Sequence, residues 1–70
     1  MTIRVTFDRE ADGRWIAEVE SMPGVLAYGA SQDEAFRAVQ TLALRVLADR
    51  LEHGELSPPA DTFQFVRDAA

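Results

Sequence analysis

Apolar and polar residues alternate from the start of the chain. Ile3, Val5 and Phe7 are separated by Arg4 and Thr6, which is the two-residue period of a strand with one buried face. A second alternating run extends from about Arg14 to Glu20. Trp15, Ala17 and Val19 fall on one face of it, and Ile16, Glu18 and Glu20 fall on the other. Between the runs, Asp8-Arg9-Glu10-Ala11-Asp12-Gly13 is polar and ends in Asp-Gly, a strong hairpin signal. These two strands should be antiparallel neighbours. A short apolar run, Val25 to Tyr28, predicts a third strand after the Pro23-Gly24 turn, and Gly29 ends it.

The period then changes. Ser31 followed by Glu34 is a capping box, in which each side chain accepts from the other residue's backbone N–H. From about Gln32 to His53 the apolar positions follow helical spacing. Ala35, Phe36, Val39, Leu42, Ala43, Val46 and Leu47 form one wide face, and Arg37, Thr41, Arg45 and Glu52 form the wet side. Asp33 and Arg37 are spaced i, i+4 in the favourable orientation, a pair worth ~0.2–0.5 kcal/mol. Gly54 suits the position just past the helix end. A connector, Glu55 to Asp61, leads to Thr62-Phe63-Gln64-Phe65-Val66, which alternates again and predicts a fourth strand. The last four residues are expected to fray.

The order is β-β-β-α-β. Two tight connections make three antiparallel strands, and the helix is a crossover, for which the right hand is strongly preferred. With the fourth strand beside the first, the sheet order is 3-2-1-4 and its last pair is parallel. The expected fold is therefore α+β with two layers: a mixed four-stranded sheet with one long helix on one face. That is the opening half of a ribonuclease H-like sheet.

Length and charge narrow the function classes. Seventy residues make one domain, residues 1–70, whose small core leaves an isolated monomer marginally stable. There is no cysteine, so neither a disulfide nor a cysteine-based zinc site supports it. Oligomerisation or a tight partner remains. No apolar run approaches the ~20 residues of a membrane span, and the N-terminus lacks the pattern of a signal peptide, so a cytoplasmic protein without membrane contact is expected. Twelve acids against seven bases give a net charge of −5. That disfavours direct nucleic-acid binding and favours a basic protein partner.

Candidate chemistry is sparse. His53, the single histidine, reads as a residue of the last helical turn favoured by the helix dipole, and no carboxylate partner is evident for it. Ser31 reads as a cap, since no base stands ready to activate it. Two-metal nuclease chemistry needs acids converging on metals ~4 Å apart. The centres of the first and fourth strands carry none, and Asp8 and Asp61 lie at strand ends. Neither a catalytic site nor a cofactor nor a metal is expected. Glu18 and Glu20 share the sheet face that points away from the helix with Ile16, and Leu26 or Tyr28 from the third strand should join them. An acidic face with exposed apolar groups suits a basic protein, so Ile16, Glu18, Glu20 and Tyr28 are the candidate partner-binding residues. Trp15 is expected in the core. On the helix, Leu44, Leu47 and Leu51 make a second apolar stripe, the candidate interface between copies of the chain. Leu56 in the connector is the alternative cover for that stripe.

Asp12-Gly13-Arg14-Trp15-Ile16-Ala17-Glu18-Val19, then Met22-Pro23-Gly24-Val25, then Gly29, Ser31 and Glu34-Ala35, resemble the HicB-like antitoxin pattern. The likeness covers about residues 3 to 53. Arg14 stands where a second glycine is frequent. The resemblance implies a β-β-β-α-β domain like a partial, catalytically empty ribonuclease H fold. It also implies a partner: HicA, a small basic RNA-cleaving toxin, neutralised by contact within a type II toxin–antitoxin system. Many members carry a C-terminal DNA-binding segment. Nothing after Val66 is expected to form one here, so operator binding is not carried over. The alternative is a stand-alone oligomeric HicB-like protein with a regulatory or ligand-binding role and no toxin.

Overall fold

The computed structural model describes residues 1–55 and 63–68. Its elements follow the expected order: β1 (Thr2–Arg9), β2 (Trp15–Val19), β3 (Leu26–Gly29), α1 (Gln32–Glu52) and β4 (Gln64–Asp68). They form a four-stranded sheet, β3-β2-β1-β4, with the helix on one face. β1 pairs antiparallel with β2 and parallel with β4, and β2 pairs antiparallel with β3. No helix among the described residues is long and apolar enough to cross a membrane.

Local chemistry sets each corner. In the first hairpin, the Gly13 N–H donates to the Glu10 carbonyl at 2.9 Å and the Glu10 N–H donates to the Arg14 carbonyl at 2.7 Å. This is a three-residue loop closed by a glycine bulge, rather than a two-residue Asp-Gly turn. The Asp12 carboxylate accepts from the Arg14 backbone N–H at 3.1 Å and from its Nε at 2.7 Å. Those bonds, the backbone one foremost, hold the Asp12 carboxyl below the usual carboxylate range. The second corner is two turns in series. The Met22 N–H donates to the Val19 carbonyl, and the Val25 N–H donates to the Met22 carbonyl. In the latter, Pro23 and Gly24 hold the central positions and Gly24 has φ +86°, as a type II turn requires. Both ends of this turn are anchored, because Met22 and Val25 are buried.

Ser31 caps α1 with its hydroxyl, which accepts from the Glu34 N–H at 3.1 Å, so the hydroxyl's half of the capping box is made. At the other end His53 is the C-cap. The Gly54 N–H donates to the Leu51 carbonyl and the Glu55 N–H to the Arg50 carbonyl, which together make a Schellman motif.

The core is the contact between the two layers. Ile3, Val5, Ala17 and Val19 supply the sheet side, and Ala35, Val39, Ala43 and Leu47 supply the helix side. Trp15 lies half-buried against this core, as its alternation implies. The small helix residues let α1 come close to the sheet. At Gly29 there is no room for a side chain: a Cβ would stand 2.8 Å from the Glu34 carbonyl carbon and 2.9 Å from the Ala35 Cα.

Three details at the C-terminal end of the domain differ from the sequence reading, and Arg67 takes part in the last of them. The fourth strand lies two residues later than expected, and Arg67 and Asp68, expected to fray, are paired within it, while Ala69 and Ala70 lie outside the described residues. Asp33 pairs with Arg67 at 2.7 Å rather than with Arg37. The Arg67 guanidinium stands 4.1 Å from the Phe36 ring centroid and 5.9 Å from that of Phe7. Stacking and an ion pair thus tie the end of β4 to the first turn of α1. Arg67→Ala should cost about 1–2 kcal/mol, since each half-exposed stacking contact is worth ~0.5–1 kcal/mol and the ion pair less. That loss corresponds to a fall in Tm of roughly 4–16 °C. High salt should remove only the ion-pair share, and a Tm unchanged by the substitution would refute the role. The expected connector, including Leu56 and Asp61, and Thr62 lie outside the described residues.

Candidate functional site

The helix occupies one face of the sheet, and no described element covers the other. Strand alternation sends Ile16 and Glu18 of β2 to this open face. The register adds their neighbours. Leu26, Glu18, Thr6 and Asp68 stand side by side across all four strands, and Tyr28, Ile16 and Asp8 stand side by side in the next row. Neighbours in such rows have Cβ atoms ~4.5–5.5 Å apart. Both Leu26 and Tyr28 therefore join the group that the sequence reading assembled. Glu20 differs slightly. It sits just beyond β2, in the turn from Val19 to Met22, so it belongs to the rim of this face and not to the ladder.

The structure adds residues that the sequence reading did not place here. A shallow depression of about 500 Å³ opens on this face, lined by Thr6, Phe7, Asp8, Glu10, Ile16 and Glu18. The Thr6 hydroxyl donates to the Glu18 backbone carbonyl at 3.4 Å, across the strand pair. Asp8 and Glu10 come from the end of β1 and the loop, and they enter because Asp8 pairs with Ile16. The register is the missing information: it depends on how many residues the hairpin loop takes, and Asp-Gly alone leaves two loop lengths open.

Charge on this face is unbalanced. Arg4 is 3.7 Å from Asp68, and Arg14 is held by Asp12. Asp8, Glu10, Glu18 and Glu20 have no basic partner among the described residues. Apolar surface lies among them. Tyr28 is 45% exposed, and the Arg14 guanidinium stacks on it at 4.6 Å from the ring centroid. Ile16, Leu26 and Val66 are half-buried. No group of three or more histidine, cysteine or acidic side chains among the described residues is arranged to hold a metal ion.

The helix candidates divide. Leu47 is buried in the core at 3% exposure, so it is not available to a partner; the wide apolar face of α1 takes it in. Leu44 and Leu51 remain, each 46% exposed. His53 does have a carboxylate nearby, contrary to the sequence reading, because Asp49 lies one helical turn before it. The His53 Nδ1 is 2.8 Å from the Asp49 carbonyl oxygen and 3.3 Å from Oδ1. That contact closes the helix end and leaves the ring at the surface.

Compared with known protein families, with curated proteins and with solved structures, the chain matches none.

Proposed function

We propose that this chain is a HicB-like antitoxin-type binding protein, which neutralises a small basic RNA-cleaving toxin of the HicA type by covering it. The observation that carries this reading is the open sheet face, where four carboxylates without basic partners among the described residues surround Ile16, Leu26 and Tyr28. Such a face offers charge to steer a basic partner and apolar area to hold it. The sheet order 3-2-1-4 with one helix supports a partial ribonuclease H-like, HicB-like fold. In this reading the protein acts in the cytoplasm by contact rather than catalysis, with no cofactor and no direct hold on nucleic acid or membrane, and it works as a homo-oligomer.

The test is capture of the tagged full chain from its native cell, with mass spectrometry of what comes with it. The expected companion is a small basic protein in equal amount, and its cleavage of RNA should stop when the chain is added back. Recovery of copies of the chain alone would overturn the toxin partner. It would favour the stand-alone oligomeric HicB-like protein.

A further inference from the structure

β4 is an edge strand: β1 lies on one side of it, and among the described residues nothing pairs with the other. The Gln64 N–H donates to the Met1 carbonyl at 2.9 Å, so Gln64 turns its backbone groups toward β1. Alternation then turns those of Val66 and Asp68 the same way, and those of Phe65 and Arg67 outward. An exposed row of this kind is a template for another strand.

We propose that a second copy of this chain pairs along β4, antiparallel, with a two-fold axis at Val66, so that two four-stranded sheets become one of eight strands. The chemistry of the strand selects both occupant and register. With the axis at Val66, Phe65 of each copy faces Arg67 of the other. Those are the two residues whose backbone groups point outward, so the pairs exchange four N–H···O=C bonds. Each Arg67 side chain then lies beside the partner's Phe65 ring, the same kind of contact that it makes with Phe36 within its own chain. On the open face Val66 meets Val66, and Gln64 can donate to the partner's Asp68. An axis at Arg67 would instead set guanidinium against guanidinium. An axis at Phe65 would push Asp68 beyond the start of the partner's strand at Gln64.

Charge agrees. Each copy carries −5 overall, yet β4 holds one cation and one anion, and Asp68 is further offset by Arg4. The edge is locally neutral on an acidic molecule, and it is where two copies meet with least repulsion. Leu44 and Leu51 make a poorer site. With Leu47 buried, two half-exposed leucines amount to less than the few hundred Å² of apolar patch that monomers ordinarily show.

The full chain lacks cysteine, so a single introduced one reports cleanly. Val66 faces Val66 at a non-hydrogen-bonded pair, with Cα atoms ~4.5 Å apart, within disulfide reach. Val66→Cys should therefore oxidise to a covalent dimer, whereas Gln64→Cys should not, since its two copies lie four residues out of register. By sedimentation the wild type should be dimeric at micromolar concentration. Val66→Lys, which puts two ammonium groups at the axis without touching the core, should be monomeric with an unchanged far-ultraviolet spectrum. A monomeric wild type would overturn the proposal. So would a Val66→Cys protein that cross-links only when mixed with Gln64→Cys. So would a dimer that survives Val66→Lys but is lost on Leu44→Glu with Leu51→Glu.

Discussion

Replacing Gly29 with alanine should remove at least about 3 kcal/mol of stability, most of what a core of this size supplies. The reason is contact and not backbone conformation. Gly29 is absent from the glycines with positive φ, so alanine can adopt its backbone angles. The added Cβ would instead meet the Glu34 carbonyl carbon and the Ala35 backbone, all closer than 3 Å. Those are backbone atoms in the first turn of α1 and cannot rotate away. The helix start must lift, which opens the packing of the fully buried Ala35 and disturbs the Ser31 cap. Gly13→Ala is the control. Nothing lies within 4 Å of a Cβ there, but φ is +92°, so its cost should be only the ~1–2 kcal/mol of a left-handed residue. Urea denaturation of both variants checks the order. Equal losses would mean that the helix does not depend on close approach at Gly29.

Gly29 also marks where the sequence stopped being legible. Alternation in the first two strands, the Pro23-Gly24 turn and the Ser31 cap were enough to order the elements and the sheet, because each is a short-range signal. The same pattern fixed which face of β2 carries Ile16 and Glu18. What it lacked was long-range information. A glycine at a strand end reads as punctuation, and only the packed helix reveals that a methyl group has no room. Asp33 has an Arg four residues on, the expected local partner, but Arg67 reaches it from the other end of the domain because Phe36 and Phe7 give that guanidinium a surface to lie on. The start of β4 is likewise set from afar, because Gln64 pairs with Thr2 at the start of β1. Leu47 sat on two stripes in the helical projection, and burial against the sheet decided between them. Alternation sends Asp8 to the open face, but register and loop length decide that it stands beside Ile16 with Glu10 next to it.

Reversing charge on the open sheet face should slow association with the proposed basic partner by roughly 10- to 100-fold at low ionic strength. Glu18→Lys with Glu20→Lys changes the charge by four units at the centre and rim of the face. Both side chains are exposed and make no ion pair among the described residues, so the fold should persist, with the circular dichroism spectrum as the check. The loss should appear in the association rate more than in dissociation, because exposed charges act mainly on the encounter. It should shrink as salt is raised, since screening reaches ~10 Å at 0.1 M. Net charge alone would give a similar trend, so location needs its own control. Glu52→Lys with Glu55→Lys makes the same change in total charge at the exposed end of α1, away from the open face. Stopped-flow rates should fall far more for the sheet pair than for the helix pair. Equal slowing would show steering by the whole molecule rather than by this face, and no slowing in either would remove the open face from the contact.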